Sequence, residues 1–430
     1  MWPPDEKPLR HLSSGCHGGY CMLPKSFRTY ENGLVLILGL SFGFAFFDRN
    51  AVSYLSTYIV DDLKINNTQV GMLGAALSLS WAFSAVVISR WSDVLGSRKP
   101  FLVVIMLAFS VCSILSGLAN SFYMLLASRL IMGLAEGPLM PICLAMLISE
   151  SSPNRRGLNI GIVQSFFSSL LGATIAPVIL VQLAILFNWR IAFFLSGIPG
   201  ILCAIAIMRF VREPKAAAAV DMPSALDGDP AVKSSIFSQR NVLLCSVIAC
   251  LMVSWLMLHQ VFLPLFFTKI RHFTAQQWRW IMSATGLCAT LSGFIAAGIS
   301  DRIGRKPVVV TACLLSLLTP LAALYFHGPI LILAVLMFVG WIGTAAFALF
   351  MAVIPGETLP LRYAATATGV VACMGEVAGG GMQFVGGWIA DLTTQAAPIQ
   401  IAAVCALGGA ILSLFLKETA PVKIGAATQQ

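Results

Sequence analysis

Charge is what this sequence has least of. Asp, Glu, Lys and Arg make up 10% of its 430 residues, against 58% hydrophobic residues and a mean hydropathy of +0.86. A soluble domain carries about a quarter charged residues. That excludes an ordinary soluble protein and makes an integral membrane protein the expectation. Histidine is equally sparse: His11, His17, His259, His272 and His327 are scattered along the chain. A membrane enzyme would gather His, Asp or Glu at an interface, so no enzyme is expected. Most of the eleven cysteines lie inside apolar runs, where thiols serve as small apolar side chains, and no disulfide framework emerges. In "CHGGYC", Cys16, His17 and Cys21 lack the spacing of a zinc site, so no metal is expected. Residues 1–32 hold no apolar core of signal-peptide length and read as a cytoplasmic tail. The net charge of +9 reflects basic cytoplasmic loops rather than nucleic-acid binding.

What the chain does have is long apolar segments. A span needs about 20 mostly apolar residues. The qualifying segments are 33–58, 68–90, 101–119, 122–148, 158–186, 190–209, 241–268, 278–300, 307–326, 329–355, 364–388 and 396–416. The expectation is an all-α membrane protein of twelve transmembrane helices. Its halves are 33–209 and 241–416, joined by a charged, Ala- and Pro-containing linker at 210–240 and followed by a tail at 417–430. With the N-terminus inside, only Lys64, Arg190, Lys269, Arg271 and Arg279 among the loop bases fall outside. By the positive-inside rule both termini are then cytoplasmic.

Two loops half a chain apart repeat one another. "SRWSDVLGSRKP" follows span 2 and "AGISDRIGRKP" follows span 8. Gly96 and Gly304 permit tight turns. Asp93 and Asp301 stand at helix ends, where a carboxylate pairs with an arginine or caps an adjacent helix N-terminus, and the loops also carry Arg98 and Arg305. Matching loops in two six-span halves point to parallel repeats and a pseudo-symmetric layout. These loops resemble the signature loop of the major facilitator superfamily and its echo. The first copy departs from the pattern at Ser89 and Val94. The resemblance covers residues 33 to about 417 and implies the major facilitator fold.

Few ionisable side chains fall deep within the spans: Asp48, Arg49, Arg129, Glu136 and Glu376. Each costs about 2.5–3.5 kcal/mol or more at membrane depth on insertion scales and is a functional candidate by default. Asp48 and Glu136 lie roughly 22 and 21 Å along their helices, near mid-membrane. Arg129 and Glu136 are two turns apart on one face of span 4, with Gly133 between them leaving room for a ligand or another helix. Asp48 and Arg49 diverge by about 100°, so each needs its own partner. One arrangement is purely structural, with Asp48 paired to Arg129 and Arg49 to Glu136. The other is a proton-coupled anion site, in which a buried carboxylate exchanges a proton and an arginine fork grips a carboxylate.

"FDRNAVSYL" and "RLIMGLAEGPLMP" resemble the anion:cation symporter branch of that superfamily. The resemblance implies that Asp48 and Glu136 carry protons, that Arg49 binds a substrate carboxylate, and that Arg129 supports coupling. Gln164 resembles a substrate-contacting position. Trp255 and Gln260 in span 7 and Glu376 in span 11 are further candidates for the substrate cavity. The expected function is proton-coupled symport of a small organic anion such as a sugar acid or an aromatic or aliphatic carboxylate. Such a carrier would be a monomer in the cell membrane with protons as its only cofactor. Alternatives are an anion exchanger, a proton-driven efflux carrier or a transporter-derived receptor. Span 7 lacks the base that a phosphate-ester exchanger favours, and "SSLLGATIAPVIL" is a poor match to an efflux carrier's Gly-Pro-rich span 5.

Overall fold

The computed structural model describes residues 25–152, 154–213, 239–359 and 361–420. "CHGGYC", most of the expected N-terminal tail and linker, and residues 421–430 lie outside the described residues. The described chain is helical, with no strand. In order, the helices are α1 (Lys25–Arg49 continued by Ala51–Leu63), α2 (Asn67–Leu95), α3 (Lys99–Gly117), α4 (Phe122–Glu136 continued by Leu139–Glu150), α5 (Arg156–Leu186) and α6 (Trp189–Phe210). Then come α7 (Arg240–Lys269), α8 (Ala275–Ile303), α9 (Arg305–Tyr325), α10 (Ile330–Thr358), α11 (Leu361–Leu392) and α12 (Ala397–Ser413). Among the described residues, nine of these are long and apolar enough to cross a membrane. The expected segments overlap these helices, with ends that differ by a few residues in either direction. Backbone hydrogen bonding carries α1 back to Lys25, beyond the apolar stretch, so residues 25–32 belong to the helix rather than to a tail.

Large side chains such as Phe83, Trp91, Val104, Leu202, Leu331 and Val404 point outward and are exposed. In water such a surface would drive aggregation, whereas in hydrocarbon it costs nothing. The driving force between helices is therefore close packing rather than the hydrophobic effect. Glycine supplies that packing. A Cβ on Gly133 would sit 2.4 Å from the Leu77 carbonyl oxygen, and one on Gly137 would sit 2.5 Å from that of Trp81. Gly133 thus makes room for α2, not for a ligand. A Cβ on Gly71 would lie 2.2 Å from the Gln383 carbonyl oxygen, and one on Gly387 2.2 Å from that of Asn67. The same device therefore brings α2 against α11, across the two halves of the sequence.

Several helices are irregular. α1 breaks for one residue at Asn50, directly after Asp48 and Arg49. α5 contains two π-helical stretches, Ile162–Phe167 and Leu170–Ile175. α10 passes through a 3-10 turn at Trp341–Ala346 and a π turn at Leu349–Val353. Irregular backbone at membrane depth is tolerated where protein covers it, and π turns concentrate at functional sites.

The α2–α4 contact is directly testable. Gly133→Val should destabilise the protein by about 1–3 kcal/mol or prevent folding, as overpacking does. Gly298→Ala, inside α8 with nothing within 4 Å of the added carbon, should hold or slightly raise the thermal unfolding midpoint in detergent, since Ala is favoured over Gly in a helix by about 0.5–1 kcal/mol.

Candidate functional site

The two adjacent charges on α1 go to opposite partners. Asp48 turns into the first six helices, fully buried. Its Oδ1 accepts hydrogen bonds from Ser113 Oγ of α3 (2.7 Å) and Ser196 Oγ of α6 (2.6 Å). Arg129 of α4 is also buried and donates from Nη2 to Ser116 Oγ (2.5 Å), its guanidinium 5.5 Å from the Phe193 ring centroid. Asp48 Oδ2 and Arg129 Nε and Nη1 have no hydrogen-bond partner among the described residues. Asp48 thus bonds to serines of α3 and α6 and Arg129 to a different serine of α3, each within reach of the other's charge. The expected structural pairing of these two is not formed.

Arg49 turns the other way. Its Nη2 makes an ion pair with Glu376 Oε1 of α11, and its guanidinium lies 5.2 Å from the Trp81 ring centroid and 5.7 Å from that of Phe46. Arg49 is thus paired with Glu376 rather than with Glu136. Glu136 is buried, and its Oε1 has no hydrogen-bond partner among the described residues.

Arg49 and Arg129 border a small cavity. Its lining also includes Asn50, Ser53, Gly74, Ser78, Met257, Gln260 and Gln383, and its volume is about 40 Å³. That is room for about one water, far below the roughly 300–1,000 Å³ of a small-molecule site.

The other expected residues separate. Gln260 lines the cavity. Trp255 does not: it is buried against His259 and Trp341 and donates from Nε1 to the Ser316 carbonyl (3.2 Å). On a helix, residues five apart face different sides, and α7 turns Trp255 into the packing with α9 and α10. Gln164 sits on the first π turn of α5 and is absent from the cavity lining. Gln383 went unnoticed because it carries no charge. It stands two turns beyond Glu376 on one helix face, buried, with Oε1 lacking a hydrogen-bond partner among the described residues. That spacing from a candidate acid was the available signal.

Gly96 and Gly304 have φ of +61° and +110°, as tight turns after α2 and α8 require. The Asp93 side chain lies outside the described residues. Asp301 pairs with Arg305 (2.5 Å), which also reaches Glu357 (3.0 Å). The adjacent helix N-termini are capped from elsewhere. Glu213, after α6, accepts from the backbone N–H of Arg98 (2.5 Å) and Lys99 (2.9 Å). Glu418, after α12, accepts from those of Arg305 (2.7 Å) and Lys306 (3.2 Å). The loop repeat thus extends to a matching pair of caps supplied by chain just past the sixth and last helices.

At the opposite end of the bundle, polar bonds join the two halves of the sequence. Asp391 of α11 accepts from the backbone N–H of Asn67 (3.0 Å) and Thr68 (2.8 Å), and from Asn67 Nδ2 (2.8 Å) and Thr68 Oγ1 (2.6 Å). Lys269 of α7 pairs with Asp61 of α1 at 2.7 Å, and Arg279 of α8 donates to Gln182 of α5 at 2.5 Å. Asp391 caps the N-terminus of α2, where the helix dipole favours an anion.

Comparison with known proteins agrees with this architecture. The family model for the Major Facilitator Superfamily matches residues 38–277 and 256–429. A hexuronate transporter of Bacillus subtilis (strain 168) is 26% identical over 299 residues, covering 66% of this chain and 70% of the relative. A probable 4-methylmuconolactone transporter of Cupriavidus pinatubonensis is 26% identical over 346 residues, 78% of each chain. Among solved structures, the nucleoside transporter NupG (D323A mutant) superposes with a TM-score of 0.73 at 15% identity, over 89% of this chain and 99% of that one. A bacterial homologue of the human lysosomal transporter Spinster gives 0.72 at 17% identity, over 91% and 95%.

The Glu418 cap carries a pH signature. Burial raises its carboxyl, but backbone N–H groups of Ala420, Arg305, Lys306 and Thr419 outweigh that and hold it below the usual range. A depressed value means the stabilisation is present above the unfolded-state pKa and is lost as pH falls through the folded one. Glu418→Gln should cost about 1 kcal/mol at neutral pH, the worth of a helix cap, and less at pH 3. Thermal unfolding of both proteins across pH measures this.

Proposed function

The chain belongs to the major facilitator superfamily, and from that premise we propose a secondary active transporter that carries a small organic anion together with a proton. The observation that supports it most is the Arg49 fork, held at mid-helix on the border of a polar cavity. A planar guanidinium grips a carboxylate by two parallel hydrogen bonds. Asn50, Ser53, Gln260 and Gln383 around it offer partners for the hydroxyls of a sugar acid. Relatives named for hexuronate, 4-methylmuconolactone and niacin transport support that substrate class.

In this reading twelve helices form two pseudo-symmetric six-helix halves that rock about the central site. The bundle end holding Asp391, Lys269 and Arg279 faces outside, and both termini lie in the cytoplasm. The contacts of α2 with α11 and of α1 with α7 then form the closed outer gate. Asp48 and Glu136 are the proton carriers. Each is a fully buried carboxyl with one oxygen lacking a hydrogen-bond partner among the described residues, an arrangement that an added proton satisfies. Arg129 sits between them in sequence and space and biases their exchange. The carrier acts as a monomer in the cell membrane and needs no cofactor beyond the proton.

In proteoliposomes, D-glucuronate, D-galacturonate or nicotinate should accumulate under an inward proton gradient, and a protonophore should abolish accumulation. Uptake indifferent to the gradient would sink the coupling. Arg49→Lys keeps the charge but not the fork, and should weaken binding at least about tenfold, the loss of a charged hydrogen bond. Glu136→Gln should abolish accumulation while sparing counterflow exchange. Equal loss of both would mark Glu136 as structural.

A further inference from the structure

The most informative contact in the bundle is one the proposed function leaves idle. Arg49 is the candidate seat for a substrate carboxylate, and that seat already holds a carboxylate of the protein's own, Glu376. We propose that Glu376 is a resident competitor: substrate must displace it from Arg49, and the displaced Glu376 takes up a proton. This inference rests on the organic-anion reading above and adds to it the step that ties one proton to one anion.

The geometry allows no sharing. Trp81 and Phe46 lie against the guanidinium, Glu376 engages its Nη2, and the cavity beside it holds only about 40 Å³. A second carboxylate cannot take the fork while Glu376 stays. Once displaced, Glu376 meets few other charges. α2 carries none between Thr68 and Ser89, and α12 none between Ala397 and Ser413. On α10, Glu357 pairs with Arg305. On α7, Cys250 donates to the Met374 carbonyl and His259 is turned into the packing with Trp255 and Trp341. Cys373 is its neighbour on α11, and on α4 Glu136 feels the Arg49 charge. Among the described residues the other base at the cavity is Arg129, which already has Asp48 and Glu136 as acidic neighbours, and an unpaired carboxylate at this depth is costly. A proton from solvent neutralises it.

The exchange balances. The Arg49–Glu376 pair is neutral overall. Replacing Glu376 by a substrate carboxylate adds one negative charge, and protonating Glu376 adds one positive charge. At this pair the exchange is therefore electroneutral: one proton enters at Glu376 for each monoanion, beside the protons that Asp48 and Glu136 exchange. Release of the anion lets Glu376 return to Arg49 and give its proton up. The ion pair also joins α1 to α11, so displacing Glu376 breaks a bond between the two halves of the sequence at the moment substrate arrives.

The test is calorimetric binding of D-glucuronate, D-galacturonate and nicotinate to purified protein at pH 6 and pH 8. Apparent affinity scales with the fraction of protein whose Arg49 is free. Glu376→Gln should therefore bind at least about tenfold tighter than wild type at pH 8, with the gap closing at pH 6. Its proton uptake per anion, read from the dependence of binding heat on buffer, should be smaller than wild type. Glu376→Asp, which keeps a carboxylate with shorter reach, should show the same tightening to a lesser degree and covers the case in which Glu376→Gln does not fold. Binding by the variants no tighter than wild type at pH 8, or with equal proton uptake, overturns the inference while leaving anion transport standing. If no acid binds wild type or variants, the organic-anion reading fails and the inference fails with it.

Discussion

A charge in hydrocarbon must find its partner inside the protein, and that constraint organises the centre of this bundle. Asp48, Arg49, Arg129, Glu136 and Glu376 lie deep in its helices and are buried or mostly buried against protein. Asp48 is met by two serine hydroxyls, Arg129 by Ser116 and the face of Phe193, and Arg49 by Glu376 and two aromatic rings. Glu136 is fully buried near them. Because consecutive residues on a helix point about 100° apart, α1 delivers an acid to the first six helices and a base to the last six within two residues.

Close packing makes that arrangement possible. With no hydrophobic force between helices in lipid, contacts depend on small residues that let backbones approach. Gly133 and Gly137 set α4 against α2, and Gly71 and Gly387 set α2 against α11. The second contact runs along the seam between the two halves of the sequence, the seam the Arg49–Glu376 pair also crosses. A seam of small residues and a handful of polar bonds can part and re-form at modest cost, as the proposed alternating access requires. The matching caps from Glu213 and Glu418 lie instead within each half of the sequence.

Ion pairs buried this way contribute little to stability, because desolvation offsets attraction. Their value lies in exchange. A guanidinium that prefers a carboxylate does not distinguish a glutamate from a substrate except by reach and protonation, and in the proposed mechanism this couples two solutes in a bundle with few charges.

By itself the sequence determined the membrane character, the positions of the helices, the loop repeat and the short set of buried charges. All of these follow from local facts: apolar run length, the spacing of Lys and Arg, and the cost of a charge within a span. Only the tertiary structure decided who meets whom. Arg49 finds Glu376 rather than Glu136, and Asp48 finds Ser113 and Ser196 rather than Arg129. Trp255 turns into packing while Gln383 enters the cavity. These choices depend on how helices rotate and cross, which is set by glycine contacts between segments hundreds of residues apart, and no local pattern records them.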